Sequence, residues 1–158
     1  MGSVELTPFL TVLNAKDRKE LLVSLEEQFG VEVLPDEAYV VSNKEKVYMV
    51  TQGIRDVAWS ELRIDRVGVY IGKWYADGFR PSVEGSQVFG PMASKNVVEL
   101  GKQGLMGWLK GRDVDTMYDD SRFVLVRYQD DFVGGAKMKN GTLLNGVSKA
   151  RTTVTLIA

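Results

Sequence analysis

The sequence predicts an α+β fold in two parts: a small N-terminal α/β module over residues 1–58, then a mixed β-barrel with short helices over residues 59–158. Three observations lead there. A single strongly amphipathic helical stretch ends at Gly30. Beyond it, short β-branched segments recur between turn residues at about eight- to twelve-residue spacing, the pattern of a small barrel or a highly curved sheet. The charge also changes sign. Residues 1–60 carry 6 basic and 10 acidic side chains and residues 61–158 carry 14 and 11, although the 158-residue chain as a whole is balanced at 20 against 21.

"NAKDRKELLVSLEEQFG" reads as a helix capped by Asn14, with Asp17 in the first turn where the positive end of the dipole lies. Leu21, Leu22, Leu25 and Phe29 form its apolar stripe, and Gly30 is the expected stop. "AYVVS" and "KVYMVT" predict a hairpin closed by "NKEK". In "ELRIDRVGVYIGKWY", Leu62, Ile64, Val67, Val69 and Ile71 alternate as in a strand pair or a bent strand, with Gly68 and Gly72 marking bulges or close backbone approach. "ADGFRPS" predicts a turn, and "PSVEGSQVFG" a short helix with Pro81 near its first turn. "NVVEL" predicts a strand, and "GKQGLMGWLKG" a helix burying Leu105, Met106 and Leu109. After the acidic loop "RDVDTMYDDS", the segments "RFVLVRYQ" and "FVGGAKMK" form the next strands. Asn140-Gly141 then predicts a type I′ hairpin into "TLLNGV", and "TTVTLIA" supplies a last strand.

Composition narrows function as well as fold. With 44% hydrophobic and 26% charged residues the chain reads as a folded protein. It contains no cysteine and no histidine, so disulfides, thiolate metal sites and Ser–His or Cys–His nucleophile pairs are excluded. The neighbouring carboxylates Glu26-Glu27, Asp119-Asp120 and Asp130-Asp131 fall on an expected helix surface, loop and turn tip, where solvation rather than catalysis is their role. Phosphate-cradling glycine loops of the P-loop or dinucleotide type are missing. No apolar run approaches the roughly 20 residues of a membrane span, and the N-terminus lacks the features of a signal peptide. The expectation is a cytoplasmic, non-enzymatic protein without cofactor or metal.

The informative segment is "GGAKMKNGTLLNGVSKAR" at 134–151, with Lys137, Lys139, Lys149 and Arg151 and no acid. "RFVLVRYQDDFVGGAKMKNGTLLNGVSKAR" resembles the PUA-like RNA-binding module that follows the catalytic domain in Sun-family RNA cytosine-5 methyltransferases. That family shows an apolar strand, a G-x-G-K step, a G-r-l-x-N hairpin and a P-K-x-x-R ending. The matching positions are Gly134, Lys137, Gly141, Leu143, Asn145, Lys149 and Arg151. Ala136, Leu144 and Ser148 depart from the pattern. "WLKGRDV" at 108–114 is similar to the family's F-L-R-G-E-E segment, and "GFRPS" at 78–82 to the glycine-rich turn and Pro-Ser pair of PUA-type domains. The N-terminal unit is similar to the pre-PUA modules of stand-alone PUA proteins.

The resemblance implies a PUA-like barrel after a pre-PUA-like module, binding structured RNA (tRNA or rRNA) in RNA modification or ribosome assembly. The family's cysteine nucleophile is not available here, so a detached RNA-binding module is expected rather than a methyltransferase. The RNA-binding candidates are Lys73, Arg80, Ser82, Lys137, Lys139, Asn145, Lys149 and Arg151. The cations would neutralise phosphates, and Asn145 would hydrogen-bond a base edge or ribose. Trp74, Tyr75 and Phe79 interleave with Lys73 and Arg80, and strand alternation keeps Trp74 and Tyr75 from sharing one face. The acidic module would face a protein partner such as a modification enzyme or a ribosome-assembly factor. The rival expectation is a protein–protein adaptor whose barrel edge and "GKQGLMGWLKG" surface hold a partner without RNA contact; the lysines of the hairpin can also be read as guarding a solvent-facing sheet edge.

Overall fold

In the computed structural model, residues 4–7, 10–50, 68–118 and 123–145 are described, the first four by their backbone. The fold is α+β. Among the described residues two sheets, one curled into a half-barrel, are joined by three α-helices.

The helical periodicity of the N-terminal stretch is realised as α1 (Ala15–Phe29). Asn14 caps it by accepting the Asp17 N–H at 2.8 Å. Gly30 ends it in the left-handed region at φ 73°, donating to the carbonyl of Glu26. Leu21, Leu25 and Phe29 are fully buried along the inward stripe.

The first sheet is an antiparallel meander of β1 (Val4–Thr7), β2 (Leu10–Val12), β3 (Ala38–Ser42), β4 (Lys46–Val50), β5 (Val69–Tyr75) and β6 (Gly78–Pro81), in that order. Its two faces serve two cores. One packs Tyr39, Val47, Ile71 and Phe79 against α1, and the other gathers Leu10, Val12, Val40, Tyr48 and Val50. The register slips between Val47 and Tyr48 opposite Ile71–Gly72, so Gly72 (φ 150°) marks the bulge expected from its position. The candidate division at residue 58 lies outside the described residues. On either side of it, β4 and β5 are hydrogen-bonded neighbours in one sheet.

The second sheet has the order β7 (Val97–Glu99), β9 (Phe123–Tyr128), β10 (Asp131–Lys139), β11 (Thr142–Asn145), β8 (Val114–Asp115), with β7 parallel to β9 and the other pairs antiparallel. Asn140 (φ 51°) and Gly141 (φ 79°) both take positive φ in the β10–β11 turn, as a type I′ hairpin requires. β9 is buried on both faces from Phe123 to Val126, because it has a strand on either side and lies between two cores. Sequence alternation alone predicts one buried face.

Three expectations shift. "GFRP" is strand β6 rather than turn, with only Ala76 and Asp77 left to close a tight hairpin from β5. Pro81 ends that strand, and Ser82 instead caps α2 (Val83–Phe89) by accepting from the Gly85 N–H at 2.9 Å. In α3 (Lys102–Leu109) the buried residue is Trp108, not the expected trio, and Met106 turns to solvent. The physical reason is reach. The indole spans to the second sheet and donates its N–H to the Val133 carbonyl at 3.0 Å, which neither Leu105 nor Leu109 can do. The strand expected at "TTVTLIA" and the alternation at Leu62, Ile64 and Val67 lie outside the described residues.

Helix α2 lies so close to β5 that a Cβ on Gly85 would overlap the Ile71 carbonyl. Gly→Ala inside a helix ordinarily stabilises by about 1 kcal/mol. Gly85→Ala is expected to destabilise instead, by about 1–3 kcal/mol through overpacking, measured by urea denaturation.

Candidate nucleic-acid interface

The second sheet is built largely by the motif residues. Gly134 (φ 147°) leaves room for Trp108, whose ring a Cβ there would meet at 3.1 Å. Leu143 is fully buried beside that indole. Asn145 gives both amide hydrogens to backbone carbonyls, of Trp108 at 2.8 Å and Arg112 at 3.0 Å, while its own N–H donates to the Asp113 carboxylate. It fastens β11 to the end of α3. Ser82 is similarly committed: its hydroxyl accepts from Gly85 and donates to the Tyr70 carbonyl at 2.6 Å. These two predicted site residues hold the scaffold from which the cations project.

The cations are brought together. Lys73 on β5 is directly paired with Arg80 on β6, so their side chains leave the same face. Arg80 lies on the edge strand of the first sheet and donates from Nη2 to the Leu144 carbonyl of β11 at 3.3 Å. Leu144 is the β11 partner of Lys137, whose partner on the other side is Phe123. Phe123 in turn stacks on Tyr75 of β5, with centroids 5.9 Å apart and planes at 13°. Lys137 therefore stands between the two residues that Arg80 and Tyr75 touch. Lys139 follows two residues along β10, on the same face, opposite Thr142. There the Asp115 carboxylate accepts from the Thr142 hydroxyl at 2.7 Å, which weakens the positive field at that end. Lys149 and Arg151 lie outside the described residues.

The interleaved aromatics all meet the first core: Trp74 and Tyr75 both pack against the cluster that contains Phe79, although strand alternation places them on opposite faces. Phe79 is fully buried. Trp74 packs on the core and donates to Ser24 Oγ at 3.3 Å; Tyr75 stacks on Phe123 beside the cationic side. The phenol of Tyr70, on β5, is pushed up to about 12. Burial is the largest cause, Tyr75, Tyr48 and the Glu84 carboxylate add to it, and Arg80 opposes it. At neutral pH it presents a neutral hydroxyl rather than a phenolate. Among the described residues the ion pair is Arg127–Glu99, on the far strands β9 and β7, and it leaves Lys73, Arg80 and Lys137 outside it.

A cleft of about 370 Å³ opens between α1 and the β5–β6 turn and reaches Phe123, the strand partner of Lys137. Glu27 and Asp77 line it together with the neutral amides of Gln28 and Asn96, which makes it unsuitable for a polyanion. Among the described residues no cluster of carboxylates has a metal-holding arrangement, and no helix is long and apolar enough to cross a membrane.

Like charges directly opposed on neighbouring strands destabilise a sheet. Lys73→Thr is therefore expected to stabilise the protein by about 0.5 kcal/mol at low salt, a Tm gain of roughly 1–2 °C. That gain should vanish near 1 M salt, where charges are screened within about 3 Å. Thermal melts at two ionic strengths test it.

Comparison with known proteins agrees with this architecture. Residues 95–153 match the family model described as the methyltransferase RsmF PUA domain. The ribosomal RNA small subunit methyltransferase F of Aeromonas hydrophila is 31% identical over 145 residues, which is 88% of this chain and 30% of that protein. The enzymes of the same name from Aeromonas salmonicida and Vibrio parahaemolyticus are 28% and 25% identical, over 88% and 90% of this chain. The chain spans about 30% of the length of these relatives. The matched segment, which contains α3 and the β10–β11 hairpin with its Gly134–Lys137 and Gly141–Asn145 steps, is thus similar in sequence to the PUA domain of methyltransferase RsmF.

Proposed function

We propose that this chain binds structured RNA in the cytoplasm, in the setting of ribosomal RNA modification, and itself performs no chemistry. The observation that carries the reading is the convergence of Lys73, Arg80 and Lys137 at the junction of the two sheets, held by the Arg80–Leu144 hydrogen bond and the Tyr75–Phe123 stack. The resemblance to small-subunit ribosomal RNA methyltransferases favours ribosomal RNA over tRNA as the ligand. A surface of this kind grips phosphates and 2′-hydroxyls and recognises shape more than sequence. Lys139 extends the charge along the β10–β11 hairpin, and Lys149 and Arg151 add two more cations to the same basic stretch of sequence. Ser82 and Asn145 contribute by fixing the strands that carry Arg80 and Lys137.

In this reading a modification enzyme or assembly factor would meet the acidic side, where α1 and the Glu27–Asp77 cleft lie.

Fluorescence anisotropy with labelled fragments of small-subunit ribosomal RNA, titrated across a salt series, tests the assignment. Lys137→Glu is expected to weaken binding by about tenfold near 0.1 M salt and to lower the salt slope by about 0.7–0.9 for each phosphate no longer neutralised. Unchanged affinity and slope, with an unchanged Tm, would favour the adaptor instead.

A further inference from the structure

We infer that the RNA path does not end at the barrel but crosses onto the N-terminal sheet, with Lys46 of β4 as a further phosphate-binding residue. This deepens the RNA-binding reading above and rests on it. Lys46 is the direct β-partner of Lys73, which is the direct partner of Arg80. Three cations on three adjacent strands thus form one transverse rung on one face. Strands lie about 4.8 Å apart, so the rung spans about 10 Å, a width over which neighbouring phosphates of one RNA strand can be engaged. Lys46 belongs to neither the matched region at 95–153 nor the basic C-terminal segment.

Its position is built rather than incidental. The Lys46 ammonium sits over the Tyr70 ring, 5.8 Å from the centroid, and its backbone N–H donates to Ser42 Oγ at 3.2 Å. The preceding residue, Glu45, takes φ 66° and accepts the Trp74 N–H at 2.9 Å, which locks the β3–β4 turn against β5. A rung of three like charges in register costs stability, and among the described residues no ion pair relieves it. An arrangement that burdens the fold and is held rigidly in place is explained by an anion that completes it. Tyr70, under Lys46, carries no negative charge at neutral pH, and the Glu84 carboxylate is the acidic group that acts on its phenol beside Arg80.

The test uses the full chain and the same labelled ribosomal RNA fragments across a salt series. Lys46→Gln is expected to raise the Kd about three- to tenfold near 0.1 M salt and to lower the salt slope by about 0.7–0.9, with no fall in Tm. Lys46→Arg, which keeps the charge, is expected to bind like the parent. Lys19→Gln, on the exposed side of α1, removes the same charge elsewhere and is expected to leave Kd and slope unchanged. Parent-like binding by Lys46→Gln while Lys137→Glu is impaired would overturn the extension and leave the barrel site standing. An equal weakening in Lys19→Gln would also overturn it, reducing the effect to net charge. Indifference to both Lys46→Gln and Lys137→Glu would remove the RNA-binding reading itself.

Discussion

The architecture depends on two backbones coming closer than side chains normally allow. Where β10 passes β6, position 135 is glycine, and a Cβ there would run into the Pro81 carbonyl and ring. That missing methyl lets the edge strand of the first sheet lie on the second. The cations of the proposed interface take their place from this joint: Arg80, next to Pro81, reaches the Leu144 carbonyl, and Lys137, two residues beyond Gly135, arrives alongside. Gly85 over Ile71 repeats the device one layer away and fixes α2 behind the same strands. Electrostatics here is a by-product of packing, in that the charges converge because the chain backbones do.

The same joint is clamped from the other side by amides. Gln28 of α1 takes both edge groups of Phe79, accepting its N–H at 2.8 Å and donating to its carbonyl at 2.6 Å. The exposed rim of β6 is thereby covered, which removes an edge that would otherwise invite strand addition. Asn96, at φ 57°, joins the C-terminal end of α1 to β9: its side chain donates to the Gln28 carbonyl and its own carbonyl accepts the Leu125 N–H at 2.9 Å. Neutral side chains perform this docking, and Glu27 beside Gln28 lines the cleft that Asp77 and Phe123 share.

Local signals were legible in the sequence wherever local physics decides the outcome. The Asn14 cap, the Gly30 stop, the Gly72 bulge and the Asn140-Gly141 turn each follow from the backbone preferences of one or two residues. The family motif was legible too, but most of its residues prove to be structural: Gly134 admits Trp108, Leu143 fills the core and Asn145 bridges to α3. Only Lys137 among the described motif residues projects a charge. Lys46 was invisible as a candidate because nothing local marks it; its significance comes from register with Lys73 across a connection of more than twenty residues. Trp108 was missed for a related reason. A helix of eight residues with several apolar side chains does not say which of them faces a partner, and the Val133 carbonyl that selects the indole lies on a distant strand.

The ties that close the first core are far apart along the chain. Gln28 meets Phe79 at a separation of 51 residues, Asn96 returns to Gln28 across 68, and Arg80 finds Leu144 across 64. Folding must therefore close large loops before those contacts repay the lost entropy, the regime in which topology makes folding slow. The α1 stripe of Leu21, Leu25 and Phe29 shares its core with Tyr39, Val47, Ile71 and Phe79 and also with Phe123, Leu125 and Phe132, so its cover is drawn from both near and distant strands. The greasy stripe of the helix can thus be roofed in part by its own near neighbours in sequence, and the last strands finish the roof.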